Sequence, residues 1–167
     1  MGNVTYVILL LVFIFREITA DEECLVTVKQ GQLRGVKKTS VYNKTYCAFY
    51  GIPYAKPPVG EKRFKLAEPA EAWNGTYNAT KEKSYCPQVS MSTHGFVGDE
   101  DCLYMNVYTN KLPKGNEKRN ATIFSIHGGG FIGGTAGTYE YGPDYFLNAD
   151  VLLVTIQYRL GILGRVS

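Results

Sequence analysis

Residues 151–156, Val-Leu-Leu-Val-Thr-Ile, are apolar on both faces of an extended chain, and residues 122–126 are nearly so. A strand with no polar face has no side to turn to water. It belongs in the middle of a sheet covered by helices on each side. Yet almost no amphipathic helix is present; only residues 143–147 look helical, with Pro143 suited to a first turn. The fold is therefore expected to continue beyond these 167 residues. The chain is 45% hydrophobic and carries 13 Tyr and 8 Phe, which argues against disorder. Its net charge is +3, and only Lys37-Lys38 and residues 114–119 are slightly dense in cations. A nucleic-acid partner is not expected, because it needs a basic stripe.

The first 20 residues read as a secretory signal peptide. Residues 7–15 are apolar, Ala20 offers a small residue for cleavage, and Asp21-Glu22-Glu23 follows. The apolar run is too short to span a bilayer, which takes about 20 residues. Residues 21–167 are then the mature part, and no membrane span is expected in it. Asn43, Asn74, Asn78 and Asn120 each open an Asn-x-Thr sequon, the pattern of an exported glycoprotein. All four cysteines, Cys24, Cys47, Cys86 and Cys102, lie in the mature part, where disulfides are permitted. Cys24 and Cys47 either pair across the N-terminal strands or stay buried thiols. A metal site is not expected, since there is no Cys-x-x-Cys and the only histidines are His94 and His127.

Along the chain, residues 25–28 and 33–38 flank Gly31 and predict a β-hairpin. Residues 46–50 make a third extended run. The three prolines of residues 51–60 predict a winding loop. Residues 65–100 read mostly as loop, with the lone Trp73 set on a sheet edge. Residues 102–109 alternate, placing Leu103, Met105 and Val107 on one side and Tyr104, Asn106 and Tyr108 on the other.

His127-Gly128-Gly129-Gly130-Phe131 follows the 122–126 strand. Gly128-x-Gly130-x-x-Gly133 also fits a dinucleotide fingerprint, but that motif needs a helix at its third glycine and an acid ending the next strand. Residues 133–138 read as more loop, and Asp150 precedes its strand. A His-Gly-Gly-Gly loop after a strand serves esterase-type hydrolases as an oxyanion-hole segment. No Ser has glycine at both −2 and +2, so no Gly-x-Ser-x-Gly elbow is present. His94 sits in a loop and reads as solvated. No nucleophile, base or acid is assigned.

Five blocks in order make the chain similar to the N-terminal third of type-B carboxylesterases and cholinesterase-like proteins, especially secreted insect esterases. They are residues 49–60 with Arg63-Phe64, Trp73-Asn74-Gly75, residues 100–108, residues 126–131, and Tyr158-Arg159-Leu160-Gly161 with Leu163-Gly164. Asn110 and Gln157 depart from the family's usual residues. Ser92 and its neighbours stand where cholinesterases carry a choline-stacking Trp, and the only Trp is Trp73, so a cholinesterase reading is disfavoured, since a cation needs an aromatic face. The resemblance implies an α/β-hydrolase fold, of which residues 21–167 form the N-terminal part, with an incomplete central sheet lacking the nucleophile strand. It implies a serine-type hydrolase of small carboxylic esters using no metal or cofactor.

By the same resemblance, the N–H groups of Gly129 and Gly130 are oxyanion donors, and a third comes from the residue after the nucleophile. His127 positions the loop, Gly128 permits the turn out of the strand, and Phe131 packs beneath. Cys86 pairs with Cys102, Arg63 with Glu100, and Arg159 with an acid further along. These residues are expected to be inactive alone, and insoluble or molten, because strand 122–126 becomes an exposed apolar edge. The competing readings are a cholinesterase-like adhesion protein without a working triad and a naturally truncated product. Non-reducing peptide mapping of the secreted protein is expected to recover Cys86 joined to Cys102; recovery of both as free thiols would refute the pairing.

Overall fold

A computed structural model describes residues 24–90, 92–113, 115 and 120–164. The expected signal peptide lies outside the described residues. Among them, no helix is long and apolar enough to cross a membrane.

The chain opens as a hairpin of β1 (Leu25–Val28) and β2 (Gly31–Arg34), paired Leu25 to Arg34 through Val28 to Gly31. The expected second strand over residues 33–38 is split at Gly35. There the chain leaves one sheet for another, and a Cβ would stand 2.6 Å from Ala48 O. Only a residue without a side chain lets the backbone pass that close. β3 (Val36–Thr39) then edges the main sheet, while β5 (Thr76–Asn78) joins β2 in parallel. Cys24 is bonded to Cys47, which ties the small sheet to the large one.

The main sheet has β4 (Thr45–Pro53), β8 (Tyr104–Thr109), β9 (Thr122–Ile126) and β10 (Leu152–Ile156) in the order β3-β4-β8-β10-β9. Within this sheet, among the described residues, only β9 and β10 run parallel, in the register Ile126 opposite Ile156. β10 lies between β8 and β9, with Leu153 and Thr155 1% exposed. The edges differ in kind. β3 carries Lys37 and Lys38, charges that discourage strand addition. β9 presents Ile123, Phe124 and Ile126, which are 36%, 56% and 64% exposed.

β4 runs three residues further than expected, through Gly51, Ile52 and Pro53. It does so across a bulge between Phe49 and Ile52. A bulge leaves ladder groups unpaired, and two side chains take them up. Gly51 N–H donates to Asn106 Oδ1 at 2.9 Å, and Tyr77 O–H donates to Gly51 O at 2.9 Å. Pro53 costs nothing at the strand's last position.

Asn106 and Tyr108 lie on the more deeply buried face of β8. Met105 and Val107 are half-buried and, with Val26, Phe49 and Trp73, line a cavity of about 370 Å³ between the two sheets. Trp73 packs on the small sheet, its Nε1–H donating to Gln32 O at 2.9 Å. The loop preceding β8 contributes a short hairpin, β6 (Gln88–Val89) with β7 (Phe96–Val97).

The helix expected over residues 143–147 is instead a 3-10 turn at Phe146–Ala149, anchored by the buried Leu147. A one-turn helix α1 forms earlier, at Thr138–Tyr141. Its start is held by Glu82, whose Oε1 accepts from Thr138 N–H at 2.8 Å and Oγ1–H at 2.6 Å. That cap comes from far away in sequence, so local patterning does not reveal it. A second one-turn helix, α2, spans Gly161–Gly164.

Asn106 has a further bond: Nδ2 donates to Ala136 O at 3.1 Å. Asn106→Ala leaves the Gly51 N–H and the Ala136 carbonyl without this partner. It is expected to lower the unfolding free energy of the intact protein by about 3 kcal/mol. Urea denaturation checks this; a loss below about 1 kcal/mol at unchanged m-value contradicts it.

Candidate active site

Parallel strands present their carboxyl ends to one side of a sheet, where connecting loops gather into sites. β9 and β10 end level with each other, so His127 and Gln157 leave the sheet side by side. His127 is 4% exposed and stacks on Tyr158, with ring centroids 4.3 Å apart and planes 19° apart. Its Nδ1 lies 2.9 Å from Gly128 O, a distance that assigns the proton to Nδ1. Tyr158 O–H donates to His127 O at 2.7 Å. His127 is thus a packed part of the loop's base, and its buried Nε2 has no hydrogen-bond partner among the described residues.

Above it, Gly128, Gly129 and Gly130 are exposed. Gly129 takes φ +118°, and a Cβ there would stand 1.9 Å from Gly133 O. Any side chain at Gly129 must therefore displace backbone. Gly130 takes φ +61° with open space around it. Gly129 O is turned inward and accepts from Ile132 N–H at 3.1 Å and Gly133 N–H at 3.2 Å. Among the described residues, no acceptor is paired with the N–H of Gly129 or Gly130. The loop thus spends the Gly129 carbonyl on itself and leaves these two N–H groups free, as it does those of Gly128 and Phe131 among the described residues.

Phe131 does not pack beneath the loop, as expected; it is 76% exposed. The space beneath is filled by the returning backbone of Gly133 and Gly134. Phe131 adopts φ +63°, and its carbonyl accepts from Gly161 N–H at 2.7 Å.

A buried polar layer carries the return limb. Gln157, 6% exposed, donates from Nε2 to Thr135 Oγ1 at 3.0 Å, and Thr155 Oγ1–H donates to Ala136 O at 3.0 Å. Tyr54 O–H donates to Gln157 O at 2.6 Å. Burial pushes the Tyr54 phenol up to about 12, so it remains a donor at neutral pH. Gln88, Asn106, Thr135 and Thr155 were not singled out as site residues by sequence reasoning. Asn106 had a signal, a polar residue inside an otherwise packable strand; Gln88 had none.

The support residues are brought together. Cys86 and Cys102 are fully buried and joined in a disulfide. Arg63 grips Glu100 with two bonds, Nε to Oε2 at 2.7 Å and Nη2 to Oε1. The hydrogen bond to Glu100 raises the Arg63 guanidinium above its usual range. The pair is partly exposed, so its geometry says more about placement than about stability. Arg159 Nη2 donates to Lys65 O at 3.0 Å beside this pair. His94 is exposed in its loop. Asn43, Asn74 and Asn78 are exposed. Asn120 is half-buried, and its Nδ2 donates to Asn110 Oδ1 at 3.0 Å.

Residues 22–167 match the family model described as the Carboxylesterase family. The chain is 43% identical over 145 residues to juvenile hormone esterase of Tribolium castaneum, covering 86% of this chain and 24% of that protein. It is 37% identical to cholinesterase of Mus musculus over 170 residues, covering 94% of this chain and 27% of that protein. Among solved structures, juvenile hormone esterase from Manduca sexta with OTFP covalently attached superposes with a TM-score of 0.76. That match is 35% identical and covers 87% of this chain and 28% of that one. The chain thus spans about a quarter of the length of these relatives. It belongs to the carboxylesterase family, and its partial sheet is part of an α/β-hydrolase fold.

Proposed function

We propose that the whole protein is a secreted, glycosylated hydrolase of carboxylic esters, and that these residues supply its oxyanion hole. The observation that carries this reading is the pair of unpartnered N–H groups on Gly129 and Gly130, at the carboxyl end of the parallel strands. In serine-type ester hydrolysis, a hydroxyl oxygen bonds to the carbonyl carbon and the π pair moves onto the carbonyl oxygen. Donors already aimed at that oxygen stabilise the charge without reorganising. The pair then returns, the alcohol leaves with a proton, and water releases the acyl group by the same route. None of these steps calls for a metal ion or cofactor.

His127 does not act as the base in this reading, because its ring is stacked and buried. Nucleophile, base and acid are supplied by sequence outside residues 1–167, so this segment alone hydrolyses nothing. Secretion is supported by the apolar residues 7–15 and by exposed sequon asparagines at Asn43, Asn74 and Asn78.

The test is Gly129→Ala in the full-length product. The substitution adds a Cβ where Gly133 O stands and meets a left-handed backbone. It is expected to lower kcat on a p-nitrophenyl ester by about 10²–10³ while KM changes little. An unchanged kcat removes the oxyanion role from this loop. A full-length product that carries no Gly-x-Ser-x-Gly and hydrolyses no ester moves the protein to the non-catalytic, binding reading.

A further inference from the structure

The glycine loop is not held by β9 alone. Its return limb lies directly beneath it. A Cβ on Gly134 would stand 2.3 Å from His127 Nδ1 and 2.4 Å from Gly128 O. Displacing Gly134 therefore displaces the backbone that carries the Gly129 and Gly130 donors.

Gly134 is gripped by one side chain from a distant part of the sequence. Gly134 N–H donates to Gln88 Oε1 at 2.8 Å, and Gln88 Nε2 donates to Gly134 O at 2.8 Å. A primary amide thus pairs with a peptide as a neighbouring strand would. Gln88 Nε2 also donates to Cys86 O at 3.2 Å. That arrangement fixes the amide's orientation: flipped, it would set its oxygen against two carbonyls and its NH₂ against an N–H. Cys86 is in turn bonded to Cys102, two residues before β8.

We propose that Gln88 is a positioning residue for the oxyanion hole, bracing the Gly129–Gly130 loop through Gly134 against the Cys86–Cys102 disulfide. The inference rests on the oxyanion reading of that loop. Gln88 touches neither substrate nor nucleophile in this role. It sets the direction of donors that must meet a developing charge to within a fraction of an ångström.

Gln88→Glu, in the full-length esterase, converts this role into a pH signal. As a carboxylate, Glu accepts from Gly134 N–H but opposes Gly134 O and Cys86 O with an oxygen that has no proton. Once protonated, its O–H donates to Gly134 O, its other oxygen accepts from the N–H, and the paired geometry returns. Near pH 8 the variant's kcat is expected to fall roughly 10- to 100-fold below wild type, the scale of a misplaced catalytic group. The ratio to wild type is expected to recover as pH falls to about 5, where carboxyl groups begin to protonate. KM should stay within about threefold, as expected when the lost interaction is made only in the transition state. Gln88→Ala should be slow at every pH.

A Gln88→Glu ratio that is flat with pH overturns the proposal, as does a Gln88→Ala kcat within about twofold of wild type. If Gln88→Ala does not fold, the pH dependence of Gln88→Glu decides alone. Gly129→Ala separates the two ideas. If it cripples kcat while Gln88→Ala does not, only the role of Gln88 fails. If Gly129→Ala is fully active, the oxyanion reading itself fails.

Discussion

A buried amide must find partners, or the strand that carries it is penalised by the full cost of desolvation. Asn106 is that amide here. It sits 7% exposed on β8, between the β4 bulge and the loop that returns from the glycine turn. Its oxygen completes the bulge at Gly51, and its nitrogen holds Ala136. One side chain thus links two regions whose backbone groups lack ladder partners. Thr155 adds a second bond to Ala136 O from the adjacent strand, and Gln157 adds one to Thr135. The polar layer is laid on β8 and β10, adjacent strands that are each paired on both sides.

The sheet explains why this scaffold is asymmetric. β3 closes one side with two lysines, and β9 leaves the other side apolar. An exposed apolar edge beside the glycine loop invites pairing with a further strand. It agrees with a chain that spans about a quarter of its relatives' length. The same asymmetry accounts for Phe131. Its ring is exposed because the inside of the turn is already filled by glycine backbone.

Local patterning is enough to place β8, β10 and the glycine loop. Alternation over residues 102–109 and the apolar run over residues 151–156 are properties of neighbours in sequence, and the strands lie where those patterns put them. The β6–β7 hairpin, inside a stretch that reads as loop, is a local pairing, but several other places where local pattern falls short depend on partners far away in sequence. β4 continues through Gly51 because of Asn106, 55 residues on. α1 starts at Thr138 because of Glu82, 56 residues back. Gln88 meets Gly134 across 46 residues. Each is a side chain completing a backbone that has no local partner, and no period or propensity in the sequence encodes such a bond. The disulfide of Cys24 with Cys47 belongs to the same class, since the choice between bridge and thiols turned on how two strands meet.

A loop of glycines is a poor place to hold two donors still, because glycine has the most backbone freedom to lose. The structure answers with contact instead of side chains. Gly133 and Gly134 fill the underside so closely that Gly129 and Gly134 have no room for a Cβ. His127 stacks on Tyr158, and the Gln88 amide closes the return limb. Around the turn, the carbonyls of Gly128, Gly129, Phe131 and Gly134 each have a partner. The N–H groups of Gly129 and Gly130 have none among the described residues. A loop folded only for its own stability would have used those donors or turned them to nothing in particular. Rigidity supplied from outside the loop is what lets a glycine turn hold these donors in fixed directions, as the proposed role asks of them.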